Sequence, residues 1–152
     1  MFLYSLLALA VVTALIFAAP LKAKVWATLA VVAAGALWAS ATAVGVLAGG
    51  HTVRLWATDV FLFGSDAGSM DPLSALFALI VSVGAVAAVL YSRGYLAHYL
   101  GRKSPAHISL HYTALATMFY AMLGVVTSEG GFSFLFFWEL MTVASFLLIL
   151  FD

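Results

Sequence analysis

The stretch Gly131-Phe-Ser-Phe-Leu-Phe-Phe-Trp-Glu-Leu-Met-Thr-Val-Ala-Ser-Phe-Leu-Leu-Ile-Leu-Phe151 decides what kind of fold this sequence adopts. At about 1.5 Å per residue, a helix over these residues crosses the ~30 Å hydrocarbon core of a bilayer once. Its ionisable residue is Glu139, and a charged carboxylate at the centre of a membrane costs on the order of 3 kcal/mol. Because a segment that only spans has no use for such a residue, Glu139 is a candidate for proton or cation handling.

The composition of the whole chain supports a membrane location. Hydrophobic residues make up 66% of the sequence and charged residues 8%, whereas about a quarter of the residues in soluble domains are charged. A soluble fold of this size could not bury so much apolar surface. No stretch shows the repeated alternation that a transmembrane β-barrel needs. The fold class is therefore an all-α integral membrane protein.

Charge and residue content exclude several kinds of function. The six basic and six acidic residues cancel and form no basic patch, so no nucleic-acid partner is expected. The sequence has no cysteine, which excludes iron–sulfur ligation and thiolate zinc sites. His107 and His111 have i, i+4 spacing, but no third ligand is near in sequence, so no metal is expected. No phosphate-binding, nucleophile or dinucleotide motif occurs. We therefore expect no cofactor and no catalytic centre on this chain.

Five apolar runs predict about five transmembrane helices in a single membrane domain over residues 1–152. The predicted spans are residues 2–19, 25–48, 71–92, 108–127 and 132–151. The first run is followed, not preceded, by the positive charges of Lys22 and Lys24, which favours a retained helix over a signal peptide. Asp71 and Pro72 suit the N-cap and the first position of the third helix.

The segment between the second and third spans is polar and lies, by prediction, on the membrane surface. Residues 52–56 and 60–63 are short β-prone runs that could form a short surface hairpin, and residues 64–69 are typical of a loop. Hairpin and loop both stay open at this point. On the fourth span a polar stripe favours helix–helix contact over an ion path. Its members are Thr113, Thr117, Tyr120, Gly124 and Thr127.

The charges of the loops predict an orientation. All charged residues of the first and third loops are basic: Lys22, Lys24, Arg93, Arg102 and Lys103. The second and fourth carry Arg54 against three acids: Asp59, Asp66 and Glu129. The positive-inside rule therefore places the first and third loops in the cytoplasm, with the N-terminus outside and the C-terminus inside.

With these parts in place, the chain resembles the N-terminal part of an antiporter-like proton-translocating membrane subunit. That superfamily includes subunits of respiratory complex I, of membrane-bound hydrogenases and formate hydrogenlyase, and of multisubunit sodium/proton antiporters. The motif Phe136-Phe-Trp-Glu-Leu-Met-Thr-Val-Ala-Ser-Phe146 carries the resemblance, and its wording is closest to the hydrogenase-type branch. Asp71-Pro-Leu-Ser-Ala-Leu-Phe77 and Tyr91-Ser-Arg-Gly-Tyr95 are similar to the third-helix region of the family.

The resemblance implies that this chain is the N-terminal part of a longer subunit in a bacterial or archaeal inner membrane. It implies a component of a redox-driven proton-translocating complex, itself without redox chemistry. In the family, the glutamate that matches Glu139 pairs with a lysine on the seventh helix, and the five predicted spans contain no lysine or arginine. The implied partners are the remaining helices of the subunit, other membrane subunits of the complex and lipid. A sodium/proton antiporter subunit, or a structural or assembly fragment without transport activity, are the alternatives.

Glu139 is the main candidate residue for proton translocation. It lies eight residues after Gly131, about 12 Å along the helix, which is deep for a short side chain to reach the headgroups. Thr142 lies one turn further on the same face and is a supporting candidate that could hydrogen-bond the carboxyl. The alternative is an acid that reaches water beside an interfacial Trp138. His111, just inside the fourth span, is a further candidate, with an interfacial histidine bonded to backbone or headgroup as its alternative.

Overall fold

The computed structural model describes residues 11, 14–20, 23–60, 64–99 and 102–151. Four helices and one hairpin make up most of this part of the chain. They are α1 (Lys24–Gly49), β1 (Val53–Val60), β2 (Gly64–Met70), α2 (Pro72–Ala97), α3 (Pro105–Thr127) and α4 (Gly131–Ile149). Residues 14–18 are also helical.

Each of the four helices is long and apolar enough to cross a bilayer, which confirms a mostly helical, multi-pass membrane protein. They correspond to the second to fifth predicted spans, so the count of about five spans is approximate. The first predicted span, residues 2–19, lies largely outside the described residues, although the helical residues 14–18 fall within it. Most predicted ends lie close to those of the structure, but α2 continues beyond residue 92 to Ala97 and α3 begins before residue 108, at Pro105.

The polar segment between α1 and α2 is a β-hairpin, so the hairpin alternative is the one the structure supports. β1 and β2 are antiparallel, with Val53 opposite Met70. The prediction of a loop over residues 64–69 is wrong, because these residues lie in β2. Alternate residues of β2, namely Asp66, Gly68 and Met70, are buried. A strand rich in glycine and serine lacks the β-branched residues by which strands are recognised, which is why the sequence pattern misplaced it.

Side-chain caps explain where α2 and α3 begin. Asp71 Oδ1 accepts a hydrogen bond from the Ser74 backbone N–H at 2.6 Å, and Pro72 follows the cap, as predicted. Ser104 Oγ accepts from the His107 N–H at 3.4 Å in front of Pro105. The Ser74 N–H favours the charged carboxylate and therefore lowers the pKa of Asp71.

Removing the Asp71 cap is expected to destabilise the protein by about 1 kcal/mol, or about 2–4 °C in Tm. Because the pKa of Asp71 is lower in the folded state, its contribution is complete above the unfolded pKa and is lost as the pH falls through the folded pKa. The Tm difference between wild type and Asp71→Ala in detergent should therefore be present at neutral pH and shrink in acid. Asp59→Ala, at an exposed hairpin acid, is the control. Equal Tm values at neutral pH would contradict the assignment of the cap.

Two members of the polar stripe of α3, Tyr120 and Gly124, make helix–helix contacts. The Tyr120 hydroxyl donates to the Val31 carbonyl of α1 at 2.7 Å. Its ring covers Gly35, where an added Cβ would overlap it, and Phe137 of α4 covers Gly124 in the same way. The two glycines therefore let α1 and α4 approach α3 closely, which agrees with the expected packing role of the stripe.

The connections between the helices lie on two opposite sides of the bundle. On one side, the Glu129 N–H donates to the Ala67 carbonyl of the hairpin at 2.9 Å. On the other side, the Phe151 ring after α4 lies 5.4 Å from the Tyr99 ring after α2. Successive connections between residues 50 and 151 therefore lie on alternate sides of the bundle, as the predicted orientation requires. Which side faces the cytoplasm stays a prediction.

Cysteine labelling tests that orientation, and the sequence has no native cysteine to interfere. Asp59 and Arg102 are both exposed on their respective sides. In intact cells, an impermeant maleimide should label Asp59→Cys and should label Arg102→Cys only after permeabilisation. The reverse pattern would show that the positive-inside argument assigns the wrong side.

Candidate functional site

Glu139 lies on the open surface of α4. Its side chain is exposed, and within the described ranges its carboxylate takes part in no hydrogen bond or ion pair. The buried residues of α4 are Ser133 and Ala144, and the other residues of the helix are half-buried or exposed. Neighbours on this surface are apolar, with Leu135 62% and Val143 51% exposed. A carboxylate in this position needs a compensating protein group or a bound proton, because lipid supplies neither hydrogen bonds nor charge.

Thr142 lies on the same exposed surface, one turn beyond Glu139. Its hydroxyl donates to the carbonyl oxygen of Trp138, four residues earlier in the same helix, at 3.0 Å. The hydroxyl hydrogen is therefore directed at the backbone, while the oxygen can still accept a bond. A supporting role beside Glu139 stays a prediction.

His111 belongs to a separate aromatic cluster at the other end of the bundle. It is 8% exposed, and its ring centroid lies 4.7 Å from that of Phe151, 5.9 Å from Tyr112 and 6.1 Å from Tyr95. Phe151 is twelve residues after Glu139, about 18 Å along a helical path. The structure therefore does not bring His111 and Glu139 together. The surroundings of His111 are aromatic rings, and a role in proton transfer stays a prediction.

The predicted loop charge Lys24 has a structural role that the sequence did not reveal. Its side chain is only 3% exposed, and the ammonium donates to the carbonyl oxygens of Ile16 at 2.8 Å and Phe17 at 3.0 Å. Carbonyls at the end of a helical segment lack partners within the helix, and a lysine near them supplies hydrogen bonds. Lys24 therefore ties the helical residues 14–18 to the start of α1.

Asp66, predicted only as a loop charge, also has a structural role. It is 6% exposed, and its carboxylate accepts from the Ser133 N–H at 2.8 Å, the Ser133 hydroxyl at 3.1 Å and the Ala67 N–H at 2.8 Å. Asp66 therefore caps the helix that carries Glu139. A cap can be recognised in a sequence only when the capping residue lies next to the start of its helix. Asp66 could not be recognised because it is 67 positions from Ser133.

An open polar groove lies where the hairpin meets the loop between α3 and α4. It has a volume of about 490 Å³. Its lining includes four charged residues: Arg54, Asp59, Asp66 and Glu129. Ser133 connects this polar region to α4, six residues before Glu139. Among the described residues, no group of three potential ligands is placed to hold a metal ion.

Comparison with known proteins supports the antiporter-like superfamily. A protein of Staphylococcus saprophyticus named "Putative antiporter subunit mnhA2" is 35% identical over 82 residues, 54% of this chain. The protein of the same name from Staphylococcus aureus is 36% identical over 80 residues, 53% of this chain. The matched regions are 10% and 9% of those two proteins. No family model matches the chain. The expected hydrogenase-type branch is not confirmed by these relatives.

Proposed function

We propose that this chain is part of an ion-translocating membrane subunit and that Glu139 is the carboxylate that handles the proton. The observation that carries the proposal is a single carboxylate on the apolar, exposed surface of a helix long enough to span the bilayer. Similarity to proteins named as antiporter subunits supports the same class of function.

In the proposed mechanism, further helices cover the Glu139 surface of α4. An intramembrane acid is compensated by a basic or hydrogen-bonding group, and the resemblance of the Trp138-Glu139 motif implies a lysine on a later helix. The carboxylate is stable while paired with that cation, and it takes up a proton when the cation moves away. Alternation between these two states moves one proton per cycle. Thr142 would supply a further polar contact, and His111 would act separately at the other side of the membrane.

We further propose that the subunit works in a redox-driven complex, in which other subunits carry the electron-transfer centres. This proposal rests on the resemblance of the motif at residues 136–146 to the hydrogenase-type branch of the superfamily. A sodium/proton antiporter subunit is the second candidate, because both curated relatives bear an antiporter name. A structural or assembly fragment is the third, because α4 exposes an apolar surface that other helices could cover.

Everted membrane vesicles from cells with and without the gene separate these candidates. The redox-driven proposal expects that an electron donor acidifies the vesicles without sodium, and that deletion removes this acidification. Sodium-dependent loss of a preformed pH gradient, without any donor, would instead establish the antiporter. If deletion changes neither signal while the other subunits still assemble, the chain has no transport role and the proposal is wrong.

A further inference from the structure

Helix α4 begins without a cap from its own sequence. Gly130 occupies the N-cap position and forms no side-chain hydrogen bond, and no acidic residue lies in the first turn. The first N–H groups of a helix have no partner within it, and they carry the positive end of its dipole. A helix that starts in this way is prone to fray unless another part of the chain supplies the missing acceptors.

The hairpin supplies those acceptors through Asp66. Its carboxylate accepts two hydrogen bonds from Ser133, one from the backbone N–H and one from the hydroxyl. Ser133 is only 1% exposed, so both bonds are shielded from water. An anion at a helix N-terminus is favourable by its charge as well as by its hydrogen bonds.

Close contacts hold the hairpin in this position. An added Cβ at Gly130 would overlap the Asp66 carboxylate, and an added Cβ at Gly68 would overlap the Trp56 indole. The Glu129 N–H donates to the Ala67 carbonyl at 2.9 Å, and Gly68 forms a bridge with Ser128. Strand β2 is thus paired with the residues that lead into α4. This pairing holds the Asp66 carboxylate at the N-terminus of the helix.

We infer that Asp66 is a positioning residue for Glu139: the hairpin fixes the start of α4 and thereby the depth and rotation of the carboxylate. Ser133 and Glu139 are six residues apart, about 9 Å along the helix. A displacement of the first turn of α4 therefore also displaces Glu139. The inference rests on the proposed function only for its consequence in transport. Its structural part, the fixing of α4 by Asp66, stands separately.

Hydrogen exchange and a spin label on α4 test the structural part in native membranes. In Asp66→Ala, the Ser133 amide should exchange about fivefold faster, the size of a typical N-cap contribution. A spin label at Gly131→Cys, an exposed position of the first turn where an added Cβ meets no atom within 4 Å, should become more mobile. Asp59→Ala, from the same groove but without a bond to α4, is the matched control and should change neither signal. Unchanged exchange and label mobility in Asp66→Ala would overturn the inference.

A rescue variant distinguishes capping from a general loss of folding. Gly130 has φ −95° and ψ 149°, a conformation that serine adopts readily at an N-cap. In Asp66→Ala the carboxylate that excludes a side chain at Gly130 is absent, so Gly130→Ser can provide a local cap. The double variant should restore slow exchange and recover most of the transport that Asp66→Ala loses. Failure of Gly130→Ser to restore either signal would contradict positioning through the cap.

The transport readout separates this inference from the proposed function. If Glu139→Gln stops transport but Asp66→Ala loosens α4 and leaves transport normal, the positioning role is wrong and the proposed function stands. If Glu139→Gln leaves transport normal, the proposed function is wrong, and the exchange and label data still decide whether Asp66 fixes α4.

Discussion

Glu139→Gln is expected to reduce ion translocation by about 100-fold or more while the complex still assembles. Glutamine keeps the size and the hydrogen bonding of the side chain but has no titratable proton. Glu139→Asp keeps the acid with a shorter reach and should retain part of the activity. The measurement is the pH change in proteoliposomes that contain the whole complex, with assembly checked by gel filtration.

Glu129→Gln is the matched control for this experiment. Glu129 lines the polar groove on one side of the bundle and is three residues upstream of Phe132 in the first turn of α4. The Glu129→Gln variant should translocate ions like the wild type, because the Glu129 carboxylate does not lie within a membrane-spanning helix. A neutral amide in the bilayer costs less than a carboxylate, so a purely structural Glu139 would tolerate glutamine. Normal pumping by Glu139→Gln would therefore contradict the functional assignment.

Gly124→Leu is expected to give the largest loss of stability. An added Cβ at Gly124 already overlaps the Phe137 ring, and a leucine adds three further carbons in the contact between α3 and α4. Overpacking of this kind costs about 1–3 kcal/mol, and more where the helices must separate. The expected result is a lower Tm in detergent and a reduced yield of folded protein.

Gly45→Leu is the control for this substitution. Gly45 also lies within a helix, but an added Cβ there meets no atom within 4 Å. The Tm of the Gly45→Leu variant should stay close to that of the wild type or rise, because glycine is unfavourable within helices. Restoration of the Gly124→Leu variant by Phe137→Ala would identify the ring as the cause. A Gly124→Leu protein with wild-type Tm would show that the two helices do not pack as described.

Features that depend on local sequence were predictable. The apolar runs indicate the helices α1 to α4 because spanning requires about 20 apolar residues, whatever their tertiary contacts. Asp71 and Pro72 indicate the start of α2 because the capping residue Asp71 and the residue that donates to it, Ser74, are only three positions apart. Glu139 is recognisable for a similar reason, since a single acid in an apolar run is unusual by itself.

Features that depend on distant contacts were not predictable. The loop assigned to residues 64–69 is a strand because Asp66, Gly68 and Met70 find buried surroundings in the bundle, which their own sequence does not indicate. The sequence predicts Asp66 only as a loop charge because Ser133, its partner, is 67 positions away. Lys24 was counted as a loop charge, although its ammonium is buried against carbonyls of the preceding helical residues.

Infrared difference spectroscopy can detect the proposed reversible protonation of Glu139 itself. A protonated carboxyl group has a C=O stretching band that a carboxylate lacks. Spectra of the assembled complex in lipid are recorded at two pH values on either side of the working range and subtracted. If Glu139 takes up and releases the proton, the spectra show a carboxyl band that disappears as the pH rises, that is absent from Glu139→Gln and that is shifted in Glu139→Asp. Identical difference spectra for wild type and Glu139→Gln would contradict the proposed protonation.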